Sequence, residues 1–397
     1  MARHTRRLIL WIIGSLLALA LLAALAVVVL VFTIDPDRFR GRIETAATQA
    51  LGRSVKLTGE LHWRLGAHIG IESRGGEIAN APGFGQQPFA AWRSLRLQVA
   101  ARPLLNKELH ISRIEIEGLS LRLQRDAAGQ GNWSFAPPTV ATADSSQLRS
   151  QIDSLQLSDS SLRFDDAASG RAWTLDSLNL ETGLPADLRA PVLDFAQFEL
   201  SGRVHGAPLT ASGVELLLKI PALRVVPSAV EISAPSWQLR WDETALAGSL
   251  QAAGGGAMPA AQGELKVESA SLRRLLNTAA FALPATRDPK AFGALRLVTH
   301  WNYRDGGVAL DAFDATLDDT HLQGTVALPR LSPLSLRFDL SADRLDVDRY
   351  LQPLDAKSEP FELPLAALRA LDAHGTLRIR QATAAGATAR ELVLDVD

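Results

Sequence analysis

The side chains here that could do chemistry are carboxylates and imidazoles, because the 397 residues include no cysteine. Disulfides, thiolate metal sites and thiol nucleophiles are therefore excluded. The eight histidines are scattered, and no H-E-x-x-H or comparable ligand spacing occurs. His62 and His68 fall in or beside strand-like sequence, where surface or turn positions account for them. Asp165-Asp166 and Asp318-Asp319 could in principle divide acid and base roles. Each pair, however, sits where a turn is expected. No G-x-S-x-G elbow and no phosphate-cradling glycine loop ahead of a helix appears. Asn132-Trp133-Ser134 fits a glycosylation sequon, but a hairpin closed by Gly-x-x-Asn-Trp explains it better. The residues point to a protein that is not an enzyme and needs no cofactor or metal. A formal net charge of −2 and a pI near 6.5 give no electrostatic case for nucleic acid.

What remains informative is the pattern of apolar residues. From Leu8 to Phe32 no charge interrupts 25 residues, about 37 Å of helix against a hydrocarbon core of roughly 30 Å. Arg3, Arg6 and Arg7 precede this run, and Asp35 and Asp37 follow it. Basic flanks stay cytoplasmic, so the expected topology is a single-pass membrane anchor with the N-terminus inside and the body outside. Ala24-Leu25-Ala26 resembles a signal cleavage site, yet six more apolar residues follow it, and a signal core is usually about 7–15 residues long.

Asp35-Pro36 then reads as a helix start, with Phe39, Ile43, Ala46, Ala47 and Ala50 at helical spacing and Gly52 as the stop. From about Ser54 the period becomes two. Leu95, Leu97 and Val99 alternate with polar neighbours, as do Ile114 and Ile116, then Leu119, Leu121 and Leu123. The odd step across Gly118 predicts a bulge or bend. Leu155 and Leu157, Leu162 and Phe164, and Trp237, Leu239 and Trp241 repeat the pattern, which continues to Leu392 and Leu394. Turns are expected at Asp159-Ser160, Asp165-Asp166, Arg304–Gly307 and Asp318-Asp319, and a loop over 252–261. Two later helices are expected, one carrying Leu272, Leu275, Leu276 and Ala279, the other from Pro364 to Leu371.

The expected fold is mostly β with a few short helices: a transmembrane helix, then an antiparallel meander with one apolar face per strand. It divides into the cytoplasmic tip and anchor (1–34), a β region with a juxtamembrane helix (35–136), a linker (137–146) and a further β region (147–397).

Several details together resemble the AsmA family of Gram-negative envelope proteins. They are Leu51-Gly52-Arg53, Gly59-x-Leu61-x-Trp63, Asn80-Ala81-Pro82-Gly83-Phe84, Pro103-Leu104-Leu105, Gly118 and Gly129-x-x-Asn132-Trp133-x-Phe135. Phe164-Asp165-Asp166, Leu178-Asn179-Leu180-x-Thr182-Gly183 and Leu345-Asp346-Val347-Asp348-Arg349-Tyr350-Leu351 follow in family order. The resemblance implies a sheet curled into an apolar groove, incomplete at the C-terminus of this chain. It also implies a part in moving phospholipid between inner and outer membranes, or, as the alternative, a non-enzymatic scaffold for outer-membrane protein assembly. The implied partners are the inner membrane, phospholipid cargo and outer-membrane or envelope proteins.

A closed sandwich would bury the same strand faces against each other. An open groove would leave them to a lipid. Two acyl chains hold roughly 30 CH₂ groups, so exposing them to water costs on the order of 25 kcal/mol. A lipid crossing water needs a continuous apolar lining, and the candidates above, from Ile114 to Trp241, are the residues expected to supply it.

Overall fold

A computed structural model describes residues 36–65, 69–100, 110–135, 151–185, 187, 190–206, 209, 213–254, 260–278, 283, 285–331, 334–352 and 372–396. The expected anchor, the 137–146 linker and the 364–371 helix lie outside these residues. Among the described residues no helix is long and apolar enough to cross a membrane.

The chain enters through a 3₁₀ turn, Pro36–Phe39, which tightens the start of α1, Arg40–Leu51. Gly52, at φ +65°, ends it. Part of the expected apolar stripe faces solvent, and polar residues of the helix meet the sheet. Ile43 is exposed, and the contact is made by Arg40, Glu44 and Thr48, which share a face at i, i+4 and i+8. Glu44 accepts from the Leu57 amide at 2.7 Å, and Thr48 Oγ1 from the Val55 amide at 3.0 Å. Arg40 donates to the carbonyls of Leu57 and Gly59. The physical reason is that β1 (Val55–Lys56) has an edge whose backbone groups need partners, and helix side chains supply them.

The strands then form one 22-stranded sheet. Two short runs build its start. β2 (Leu61–Leu65), β3 (Ile69–Ser73), β6 (Ser94–Val99) and β7 (His110–Glu117) pair in that order. Beside them, β1, β4 (Gly76–Ile78), β5 (Ala90–Trp92) and β8 (Ser120–Arg125) do the same. Two-residue β9 (Gln151–Ile152) adds to β7. Both runs meet β10 (Ser154–Asp166), with β7 along its first half and β8 along its second.

From β10 the sheet is a meander of neighbours: β11 (Arg171–Gly183), β12 (Leu193–His205), β13 (Val214–Val226), β14 (Glu231–Trp241), β15 (Thr244–Ala253) and β16 (Ala260–Ser269). After α2 (Leu272–Thr278) come β17 (Leu295–Arg304), β18 (Gly307–Leu317), β19 (Thr320–Leu331) and β20 (Leu334–Asp346). α3 (Val347–Tyr350) precedes β21 (Asp372–Ala384) and β22 (Ala387–Val396).

The antiparallel expectation fails at the joints. β7, β8 and β10 pair in parallel, as do β20 and β21. Each joint follows a long connection that returns the chain to the same end of the sheet, which is what parallel neighbours require. The expected turn at Asp159-Ser160 is also a correction, because β10 runs straight through it as a bulge with Asp159 at φ 46°. That bulge faces the break between β7 and β8. The Gly118 amide donates to the Ser158 carbonyl at 2.9 Å, and the Leu119 amide to Ser160 Oγ at 3.1 Å. The expected 252–261 loop is shorter than its sequence suggests, since Ala252 and Ala261 are strand partners.

Bulges recur along the meander, and Pro235 and Pro329 sit in the gaps where the ladder slips. Each bulge bends its strand and adds twist, which gives the sheet its elongated, curled form. Among the described residues, β2 pairs with β3 alone and β22 with β21 alone, so the sheet does not close on itself.

Candidate functional site

Register turns the separate alternations into one surface. Leu95 pairs with Ile116, Ile116 with Leu157, Leu157 with Leu180 and Leu180 with Leu200. Leu200 pairs with Leu218, then come Leu239, Leu246, Val267 and Leu297 in turn. Ala315, Leu322, Ala342, Ile379 and Leu392 complete the row. Cross-strand partners point to the same side of a sheet. The row is therefore one apolar line from β6 to β22, about 67 Å long at 4.8 Å per strand.

One position along, the other side of the sheet carries charge and amides. Glu181, Glu199, Lys219 and Gln238 pair in sequence there, and Asp314, Gln323, Ser341 and Arg378 do so farther on. Lys219 Nζ lies 3.0 Å from Glu199 Oε1, and Arg203 Nη2 2.8 Å from Glu215 Oε1. These exposed pairs keep that side wetted and are each worth little in stability.

The predicted lining residues fall on the apolar side in two groups. Ile114 pairs with Leu155, Ile116 with Leu157, Leu121 with Leu162 and Leu123 with Phe164. Leu119 packs with several of these around buried Leu157, Leu175 and Leu178. The second group is on β14. Leu239 lies between Leu218 and Leu246, Trp241 between Leu216 and Thr244, and Trp237 opposite Gly248. Four strand spacings, about 19 Å, separate the groups along the same side. The residues that bridge them, Leu180, Leu200 and Leu218, were missed as lining. The alternation of Leu180 was readable, but Leu216, Leu217 and Leu218 run together in sequence, and which strand lay beside which was not readable.

Among the described residues no second layer covers this side. No described Leu, Ile, Phe or Trp falls below 2% exposure; the largest side chains buried to that degree are Asn132, Thr299 and Ser335. Ten of the fifteen members of the row are half-buried, while Leu157, Val267, Ala315, Ala342 and Ile379 are buried. A cavity of about 380 Å³ deepens the surface at one rim, where Ala252 and Ala261 make the floor between Ile232 and Tyr303, and Glu231 and Arg304 flank it.

The groups singled out as potential acids and bases are structural. Asp165 is clasped by Arg163 at 2.8–3.0 Å. Asp166 caps its turn through Ala168 N and Ser169 Oγ, and these bonds, the hydroxyl first, hold its carboxyl below the usual range. Asp318 accepts from the amides of Phe292 and Gly293 and from Tyr350 Oη at 2.8 Å, while Asp319 pairs with Arg349 at 2.6 Å. Burial, then the neighbouring Asp318, pushes the Tyr350 phenol above its ordinary value.

The motif around α3 thereby ties three turns together. Asp348 accepts from Ala385 and Gly386 in the β21–β22 turn, and Arg349 reaches Asp288 at 2.8 Å. Each of the six described histidines lies beside a carboxylate, the shortest being His110 with Asp153 at 2.7 Å. Among the described residues no three His, Asp or Glu side chains gather as metal ligands.

The family model of the AsmA family matches residues 4–214, which ends as β13 begins. Protein AsmA of Escherichia coli (strain K12) is 27% identical over 195 residues. That stretch is 48% of this chain and 30% of the relative, so the match spans less than a third of the relative's length. No solved structure matches the chain.

Proposed function

The chain belongs to the AsmA family, and from that premise we propose that it is an envelope protein whose apolar sheet face shields phospholipid acyl chains. The segment Leu8–Phe32 anchors it in an inner membrane, with the N-terminus cytoplasmic and the sheet in the periplasm. No catalytic step is involved; the protein acts by covering the tails.

One observation carries the reading. The row from Leu95 to Leu392 is apolar at every position, and ten of its fifteen members, Leu239 and Leu246 among them, stay half-buried rather than buried. A sheet evolved to fill its own core would close this side. An acyl chain laid along the row recovers most of the roughly 0.8 kcal/mol that each CH₂ costs in water. Because neighbouring positions are equivalent, the chain can slide from strand to strand without leaving one deep site.

The experiment is a photo-crosslinking amino acid at Leu239, followed by lipid extraction and mass spectrometry of the purified full chain. Phospholipid attached at 239 supports the reading. Inert positions and a purified protein free of phospholipid would sink it.

A second reading is favoured by β2, which among the described residues pairs with a strand on one side only. Such an edge can accept an extended client strand, as a scaffold for outer-membrane proteins would. Loss of outer-membrane proteins with an unchanged lipid balance, in cells lacking the gene, favours this alternative.

A further inference from the structure

Large aromatic side chains stack along the rim of the apolar side where β8 and β10 end and β11 begins. Phe164 lies 5.3 Å from Trp173 at an interplanar angle of 27°, and 6.1 Å from Trp133 at 33°. Phe164 is in register with Leu123 on one neighbour and Trp173 on the other, so the stack extends the apolar side. Trp133 and Trp173 are 40% and 39% exposed.

The stack is fastened to the N-terminal helix. Phe135, also exposed, meets Phe89 edge-on at 5.4 Å, and the Arg53 guanidinium lies 4.0 Å from the centre of the Phe135 ring. Arg53 Nη2 donates to the Ser134 carbonyl at 3.0 Å. Arg53 stands just after Gly52 at the end of α1, and α1 begins eight residues after the apolar run Leu8–Phe32. The rim is thereby tied to the run by one 12-residue helix, about 18 Å long, and a short connection ahead of it.

The geometry points to this rim as a surface seated in the interfacial layer of a phospholipid bilayer, so that the apolar row opens directly onto the membrane. The inference rests on the reading of Leu8–Phe32 as an anchor and of the row as a lipid path. Two features select a bilayer as the occupant. Tryptophan has an apolar body and a polar N–H, and settles where acyl chains meet headgroups. The rim is also continuous both with the tethered helix and with the acyl-binding row, so a lipid leaving the membrane here would not cross water first. Among the described residues the row carries no other stack of aromatic rings.

The absence of cysteine allows a direct test. Single-cysteine variants Ser134→Cys and Trp173→Cys of the full chain carry a nitroxide in liposomes of phosphatidylethanolamine and phosphatidylglycerol. Gln238→Cys, exposed on the polar side, is the reference. Ser134→Cys leaves every aromatic in place, so the test survives if the Trp173 variant misfolds. Power-saturation spectroscopy compares collisions with oxygen, which enters lipid, and with a nickel chelate, which stays in water.

The expected oxygen-to-nickel ratio at 134 and 173 is about threefold or more above that at 238, as for an interfacial site. A ratio equal to the reference, or low collision rates with both reagents as in a protein contact, overturns the inference. Crosslinking of lipid at Leu239 with an aqueous rim would reject the rim and keep the lipid path. An inserted rim with no lipid at 239 would do the reverse.

Discussion

Asn132 donates its side-chain amide to Asn80 Oδ1 at 2.9 Å, joining two segments 52 positions apart. The same amide donates to the Arg122 carbonyl at 2.9 Å, and Asn132 Oδ1 accepts from the Gln124 amide at 2.8 Å. Asn80 closes the network by donating to Phe84 O and Gln124 Oε1. Asn132 is fully buried, which rules its side chain out as a glycosylation acceptor in the folded protein.

Asn132→Ala therefore strips a partner from three groups on two segments, a loss of about 3 kcal/mol at 1–3 kcal/mol per orphaned group. Urea unfolding should show a lower midpoint with an unchanged slope. Ser134→Ala, at an exposed side chain, should leave the midpoint where it is.

The α3 motif yields a second expectation. Tyr350→Phe keeps the edge-on contact with Phe292 at 5.1 Å but removes the donor to Asp318. Asp318 retains two backbone donors, so the cost is about 1–2 kcal/mol for one hydrogen bond to a charged group. The phenol's ionisation is raised by burial and by Asp318. Its contribution to stability is thus present below the ordinary value of 10.0 and is lost as pH rises through the folded value. Ultraviolet titration of the wild type minus Tyr350→Phe should show no phenolate signal from this residue until well above that ordinary value.

These two clusters show how far the sequence could be read. Alternation is local, so Leu155 with Leu157, and Leu162 with Phe164, were legible as two apolar strand faces, but not as one strand bulged at Asp159. Their partners in β7 and β8 were not, because parallel pairing is set by where a long connection returns. Asp159 looked like a turn since Asp is favoured both in turns and in the left-handed conformation of a bulge. Arg349 and Tyr350 were visible as a motif, but its purpose depends on Asp288, Asp318 and Asp319, which only folding brings near. The polar stripe on α1 was hidden for a similar reason. Arg40, Glu44 and Thr48 mean nothing until an unpaired strand edge lies beside them.

Glu72 supplies a pH expectation. It is 5% exposed on β3, with Arg64 Nε at 2.7 Å and Arg96 Nε at 3.4 Å. Burial pushes its carboxyl up, but the Arg64 hydrogen bond and the charges of Arg96 and Arg64 more than offset this and leave it below its ordinary 4.5. A depressed carboxylate stabilises the fold above its unfolded value and loses that contribution as pH falls through its folded value. Melting temperature should therefore fall as acid is added below pH 4.5. In Glu72→Gln the melting temperature should start lower at pH 7 and show a shallower acid decline. An equally steep decline in the variant would remove Glu72 from the account.

Leu246 and Ala247 are adjacent on β15 but face opposite sides of the sheet. Leu246 stands in the apolar row between Leu239 and Val267, whereas Ala247 lies between Gln238 and Lys266. Leu246→Glu and Ala247→Glu therefore add the same charge to the same strand, with opposite expected consequences. A carboxylate in the row must be dehydrated when an acyl chain lies over it, which at about 2.5 kcal/mol lowers occupancy there on the order of 50-fold. At 247 the carboxylate stays in water beside Lys266. Leu246 is half-buried, so the folding cost of its replacement is about 1–2 kcal/mol, within reach of a typical domain's margin. The measurement is phospholipid crosslinked from position 239 in each background, with thermal unfolding as the check on folding. Loss of the lipid signal in Leu246→Glu alone fits an acyl path along the row. Equal signals in the two folded variants would mean that lipid, if bound at all, does not follow it.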